Sequence, residues 1–354
     1  MPGVSLPPFP DDLPTVPLLV IDYALLQAGD EHEIQSLWKA ATELGFWYLK
    51  NHGADAAVNA MFEMGARTMK LPLEEKMKFE QGDRGISFGY KFAGANATDA
   101  SGALDSVEFI NVSKDDALAY PTVVHRRYPS TVEDYMESAV RPFVSKGMEV
   151  NETLMGILND RLGLPPRTLA GLHTPEEHSG SEARCIKKTP ESQPESPDKP
   201  AIGAHTDFGS LSFLHNQLGG LQVLPPGTNE WKYVKPLPGH AICNLGDAMA
   251  IFSAGILRSN LHRVVPPPKA QALFDRWSLV YFTRPGNSVS LAPLTDKSSL
   301  VAEAAVRASE NQYATNVTAA EWFARRIQNQ RIKNRKGPET WMASRGTEHK
   351  REAN

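Results

Sequence analysis

Cysteine is scarce in this sequence: only Cys185 and Cys243 occur among 354 residues. Two thiols cannot build the disulfide framework of a small secreted domain. Their strand-like surroundings predict buried packing in a reducing, cytoplasmic setting. Long apolar runs are missing as well, since no stretch approaches the ~20 residues of a membrane-spanning helix. Excess positive charge is absent: 37 Lys+Arg against 41 Asp+Glu give a net charge of −4. That balance argues against a broadly basic surface for nucleic acid. The start, "MPGVSLPPFPDDLP", lacks a charged n-region and an apolar h-region, so secretion is not expected. The four N-x-S/T sequons at Asn96, Asn111, Asn151 and Asn316 should therefore stay idle. The expected partner is a small-molecule substrate, with no nucleic acid and no membrane, for a monomer or homodimer.

What is present is an ordinary globular composition, 41% hydrophobic, long enough for one large core or two modest ones. "VPLLVID" at 16–22 reads as a strand. Ile34, Leu37, Ala41 and Leu44 recur at helical spacing until Gly45, before the aromatic strand "FWYLKNHG". Two further helices are expected near 55–70 and 73–80, separated by Pro72. Residues 82–108 carry five glycines and little periodicity, which suggests a long functional loop. Apolar residues from Met136 to Leu162 predict one long amphipathic helix over 132–162.

From Arg184 to Thr283 the texture changes to short apolar runs separated by turns, the mark of a sandwich or barrel. A polar, Pro-rich loop at 191–200 interrupts it. The last fifty residues turn helical and basic, with "AAEWFARRIQNQRIKNRKGPETW" expected as a helix packed by Trp322, Phe323 and Ile327 under a solvated charged face. The division expected is 1–120, 121–300 and 301–354, as parts of one integrated catalytic domain.

"AIGAHTDFGS" at 201–210 places His205 and Asp207 two apart, on one face at a strand end. Alone the pair proves little. His262 in "LRSNLHRVV" lies in a second strand-like run, and two imidazoles with one carboxylate form the facial triad of non-haem iron(II) oxygenases. Zinc accepts the same donors and activates water, so a zinc hydrolase is a rival. "RWSLVYF" at 276–282 discriminates: Arg276 and Ser278 share a face and are suited to hold a carboxylate by charge-assisted hydrogen bonds. An oxo-acid could then chelate iron at one end and be held at the other.

These motifs, with "VPLLVIDYALL", "ELGFWYLKNHG", "GGLQVL" and "NLGD", make the chain similar to the 2-oxoglutarate- and iron(II)-dependent oxygenases of the isopenicillin N synthase-like branch. Within it, fungal members resemble the chain most. The resemblance implies a mainly β fold with flanking helices: a double-stranded β-helix (jelly-roll, cupin-like) core, an N-terminal α/β region and a C-terminal helical extension. It implies iron held by His205, Asp207 and His262, 2-oxoglutarate held by Arg276 and Ser278, and O2 as oxidant. The product would come from hydroxylation, desaturation or ring rearrangement, with succinate and CO2 as co-products.

Many relatives carry Tyr-Pro on the strand before the HxD motif, where this chain has "RCIKKTP", so Lys187, Lys188 and Thr189 become candidates for the co-substrate site. Candidate substrate walls are Phe88, Tyr90 and Lys91, "SVEF" at 106–109, Leu211, Phe213 and Phe282, and the C-terminal helix. Such walls would suit a small heterocyclic or polyketide-like metabolite. An isopenicillin N synthase-like oxidase would instead place a substrate carboxylate on Arg276 and need no 2-oxoglutarate. A non-catalytic binding protein of the same fold is the remaining alternative.

Overall fold

The computed structural model describes residues 6–190, 199–309 and 312–347; most of the 191–200 loop lies outside them. Twelve strands occur among the described residues: β1 Val20–Asp22, β2 Phe46–Lys50, β3 Gly89–Lys91, β4 Glu108–Ser113, β5 Glu182–Lys188, β6 Ile202–His205, β7 Leu211–Asn216, β8 Leu221–Val223, β9 Lys232–Tyr233, β10 Ala241–Leu245, β11 His262–Val264 and β12 Arg276–Thr283. They form an eight-stranded sheet, β1-β2-β10-β7-β12-β5-β4-β3, and a four-stranded sheet, β6-β11-β8-β9. Only β1–β2 among these sheet pairings is parallel. The strands before residue 120 thus complete the same large sheet as those of the core. This is the mainly β, jelly-roll architecture with flanking helices.

The helices that matter below are α1 Glu31–Glu43, α2 Asp55–Met69, α3 Arg141–Arg161, α4 Asp247–Phe252, α5 Ala319–Gln330 and α6 Pro338–Ser344. Asp30 caps α1 through the Glu33 amide, satisfying a donor that the first turn leaves open. The helix expected over 132–162 is interrupted: a short helix at Ser130–Glu133, a wider turn at Met136–Val140, then α3. Pro142 explains the break, because it lacks an N–H and its ring crowds the preceding turn. Gly147, within the apolar stripe, is where α3 meets the sheet; a Cβ there would lie 2.5 Å from the Tyr281 ring.

Strand alternation sorts the large sheet into two faces. Trp47, Leu49, Cys185, Phe213, Cys243, Leu279 and Tyr281 join the helices in one core, while Phe46, Tyr48, Phe109, Ile186 and Ile242 join Leu221, Val223 and Val264 between the sheets. Both cysteines are free and fully buried; burial pushes the Cys185 thiol up to about 12. Among the described residues no helix is long and apolar enough to cross a membrane. Asn111 and Asn151 are buried within the fold, so neither sequon is available to a glycan.

The C-terminal charges depart from expectation. Trp322, Phe323 and Ile327 do pack inward, but Arg326 and Arg331 are buried with them. Arg326 pairs with Asp247, and Arg331 with Glu80 and Asp83. Burying a guanidinium is costly unless it is paired, so these arginines join the helix to the body of the protein. Past Gln330 the chain leaves α5 for a short turn and α6.

Candidate active site

His205 ends β6 and His262 begins β11, and the antiparallel register sets them directly opposite each other. Their rings lie 4.3 Å apart. Asp207 sits two residues beyond His205, its main chain held by Asp247 N–H to Asp207 C=O at 2.8 Å. Its Oδ1 is 3.8 Å from His205 Nε2 and 3.7 Å from His262 Nε2. Each imidazole meets a backbone carbonyl through Nδ1, His205 with Gly203 and His262 with Asn260. A proton on Nδ1 leaves the Nε2 lone pair for a metal.

Asp207 Oδ2 accepts from Ser212 Oγ at 2.5 Å and Asn244 Nδ2 at 2.7 Å, which orients Oδ1 toward the histidines. Burial, and then the neighbouring His262, lowers the His205 pKa, favouring the neutral ligand form. Burial would raise the Asp207 pKa, but His262, His205, Asn244 and Ser212 outweigh it and keep it lowered. One ion fits among these donors, with neutral nitrogens and an anionic oxygen in reach of a common centre.

Arg276 stands on the face of β12 that looks between the sheets, with Ser278, Val280 and Phe282 on that face. The guanidinium is buried; Nε donates to Gly219 C=O at 2.7 Å and Nη1 to Ser278 Oγ at 2.6 Å. No carboxylate among the described residues pairs with it. Burial lowers its pKa to about 10, so the group remains cationic at neutral pH. A buried, fixed cation without a counter-ion fits the far carboxylate of an oxo-acid.

Of the three candidates standing in for Tyr-Pro, only Lys188 is directly opposite Arg276 on β5, and it is buried. Lys187 points to the opposite face by strand alternation, 3.4 Å from Asp275 and 5.8 Å from the Trp277 ring centroid. Thr189 lies past the end of β5 and is exposed. Neither of these two is brought beside Arg276.

A cavity opens beside His205 and Asp207, and Phe282 lines it together with Val107 and Phe109 of "SVEF". The C-terminal helix, also proposed as a wall, lines it through Ile327 and Gln330; the remaining proposed walls lie elsewhere. Phe213 and Leu211 face the helices, Phe213 between His52 and Phe143, because they occupy the opposite phase of β7 from Ser212. Tyr90 also takes the helix-side phase; its hydroxyl donates to Glu108 at 2.7 Å under the Lys76 ammonium. Phe88 is buried against His125 at 5.0 Å. Lys91 faces inward but is spent on Asp105 and the Val107 carbonyl. It braces Asp105, which lines the cavity.

Several polar residues of the site are not among the candidates taken from the sequence. Arg184, Arg284 and Arg345 line the cavity with Gln330 of α5 and Trp341 of α6. Asp247 accepts from Thr206 Oγ1 at 3.1 Å and Thr347 Oγ1 at 2.7 Å, and pairs with Arg326, whose Nη2 donates to Thr206 C=O at 3.0 Å. The C-terminal segment is thereby fastened to the loop carrying Asp207. Arg184 and Glu182 share a strand phase, a period-two cue that was present. Asp247 offered only its place in "NLGD".

Known proteins match along most of the chain. The 2OG-Fe(II) oxygenase superfamily is matched over residues 183–285, and the N-terminal region described for the non-haem dioxygenase in morphine synthesis over 18–133. A 2-oxoglutarate-dependent dioxygenase of Aspergillus fumigatus is 30% identical over 316 residues, 81% of this chain and 80% of the relative. Homoarginine-6-hydroxylase of Oryza sativa subsp. japonica is 30% identical over 259 residues, 70% of this chain and 76% of the relative.

A full-length protein of Neurospora crassa, solved in complex with alpha-KG, superposes with a TM-score of 0.71 at 21% identity, over 91% of this chain and 99% of that one. That last likeness establishes the shared fold. With the extent and identity of the fungal match, the chain belongs to the 2-oxoglutarate- and Fe(II)-dependent oxygenases, and it is an oxidoreductase of the dioxygenase type using Fe(II), 2-oxoglutarate and O2.

Proposed function

We propose that His205, Asp207 and His262 hold the Fe(II), and that Arg276 and Ser278 hold the far carboxylate of 2-oxoglutarate, with Lys188 adding positive charge at that end. The observation that carries this reading is the pairing of two Nε2 lone pairs and one carboxylate oxygen with a buried Arg276 that has no carboxylate partner among the described residues, on the same inter-sheet space. Bound iron and 2-oxoglutarate supply the oxidation: a substrate C–H becomes C–OH, while 2-oxoglutarate and O2 give succinate, CO2 and the inserted oxygen atom. The chain's own part is to orient both carboxyl ends of the co-substrate, hold the target C–H near the triad and exclude water.

The substrate is read as a small organic metabolite, in keeping with the size and partly apolar lining of the cavity. A cytoplasmic, reducing setting fits two buried free thiols. Anaerobic addition of Fe(II) and 2-oxoglutarate should produce a visible metal-to-ligand charge-transfer band. Arg276→Ala should raise the 2-oxoglutarate concentration needed for it. Absence of the band, or no change in the variant, would overturn the assignment. Turnover without 2-oxoglutarate would instead favour direct oxidation of a substrate whose carboxylate is held by Arg276.

A further inference from the structure

Arg184 on β5 lines the same cavity as His205 and Asp207. Its Nε donates to Asn111 Oδ1 at 2.8 Å and its Nη2 to Glu182 Oε1 at 2.7 Å. The guanidinium carbon lies 4.3 Å from the Phe109 ring centroid and 5.0 Å from that of Phe282. Four contacts therefore fix the plane of the fork. Nη1, however, donates to no described group, and the side chain keeps 16% exposure.

Among the described residues the charge at this wall does not balance. Glu182 is fully buried and is shared between Arg184 at 2.7 Å and Arg284 at 3.1 Å, and it also accepts from Ser87. Two guanidiniums thus face one carboxylate. Arg284 is itself buried, and its Nε has no hydrogen-bond partner among the described residues. Were Arg184 present only to neutralise Glu182, Arg284 and Ser87 would already suffice. The surplus charge is held rigidly on a concave wall beside the metal donors, a setting that selects an anion.

The 2-oxoglutarate anchor is a different group at a different place. Register pairs Arg184 with Val280, four residues along β12 from Arg276, or roughly 13 Å at the rise of a strand. We propose that Arg184 is the anchor for a carboxylate on the prime substrate, an aryl carboxylate whose flat body lies in the cavity along the exposed edge of Phe282. The proposal rests on the reading of the triad as the iron site, since that makes the cavity the place of the target C–H.

The test uses the full chain loaded with Zn(II), which cannot turn over, and saturated with 2-oxoglutarate so that Arg276 is occupied. Benzoate, phenylacetate, 3-phenylpropanoate and indole-3-carboxylate are titrated by calorimetry, each beside its primary amide. At least one acid should bind about tenfold or more tighter than its amide, the scale of one charge-assisted hydrogen-bonded pair. Arg184→Gln should bring the two to equal affinity with the Kd for 2-oxoglutarate unchanged.

Arg184→Lys keeps the charge beside Glu182 and guards against a misfolded Gln variant; it should weaken the acid and leave the amide alone. Acid and amide binding equally throughout the panel, no acid binding, or an acid preference that survives both substitutions would overturn the proposal. Titration of 2-oxoglutarate into the Zn(II) protein reads the co-substrate assignment separately. Failure there with the acid preference intact would remove that assignment and leave the Arg184 subsite standing.

Discussion

The two faces of the eight-stranded sheet are built from alternate residues of the same strands, yet they have different compositions. On β12, Trp277, Leu279 and Tyr281 enter the helix-side core, while Arg276, Ser278 and Phe282 face the space between the sheets. On β7, Phe213 goes to the helices and Ser212 to Asp207. On β10, Cys243 is buried beneath the helices and Asn244 holds the same carboxylate. Period-two alternation thus lets one backbone carry a packing surface and a chemical surface. Each polar inward group costs stability unless it is hydrogen-bonded, and the dense apolar face behind offsets that cost.

The sharpest division is expected at the metal donors. His262→Ala or Asp207→Ala should abolish iron retention and succinate formation while far-UV dichroism stays that of the folded protein. Metal content of the purified variants by mass spectrometry checks it. Retained iron at the native stoichiometry would mean that the triad is not the site.

Neighbouring residues on β12 should separate next. Leu279→Ala leaves a cavity in the helix-side core and should cost about 2–5 kcal/mol of stability, with affinity for 2-oxoglutarate unchanged in the folded protein. Ser278→Ala should do the reverse, weakening the co-substrate with a small change in stability. Denaturant unfolding and calorimetric titration of both variants test the pair. Equal effects on both properties would mean that the two faces are mechanically coupled and the division is only formal.

Asn244→Ala should then cost metal affinity without touching a ligand. It removes one of two donors that orient Asp207, and losses of this kind run to about 10–100-fold. Competition with a chelator gives the number. Restoration by Asn244→Gln would argue against a strict positional role, since the longer side chain displaces the amide.

Much of this division was legible in the sequence because metal and oxo-acid binding demand side chains of fixed type at period two: His205 with Asp207, and Arg276 with Ser278. Helix ends were legible where Gly45 and Pro72 forced them. Which phase of β7 faces inward was not, because Leu211 and Phe213 alternate with Ser212 and Leu214, and an apolar residue suits either core. The Arg184–Glu182–Arg284 cluster joins strands about 100 residues apart in sequence, and no local pattern announces such a pairing. The C-terminal arginines misled for the same reason. On a helical wheel Arg326 falls between Trp322 and Phe323, and only its charge made it read as solvated; Asp247, Glu80 and Asp83 arrive from distant segments and make the burial of Arg326 and Arg331 tolerable.

The smallest effect expected is in pH, and a pair of histidines on the helix side offers the place to read it. His52 and His215 are buried with ring centroids 5.2 Å apart, and neither Nε2 has a partner among the described residues. Burial, and for His215 the adjacent His52, holds both pKa values below the ordinary 6.5; Asp55 opposes the shift at His52, while His240 and Lys146 add to it. The unfolded chain takes up protons as pH falls through 6.5 and the folded chain does not. Stability from this pair is complete above that value and is lost below it, at up to about 1.4 kcal/mol per pH unit for each imidazole. His215→Phe removes one of the two groups and should flatten the fall in unfolding free energy between pH 7 and 5. Arg276, whose pKa lies near 10, adds no slope in that window, but His205 and His173, which burial also holds low, add their own. An unchanged slope in His215→Phe would take His215 out of the acid sensitivity and leave it to His52, His173 and His205, and the contrast between the faces would then rest on packing and ligand chemistry.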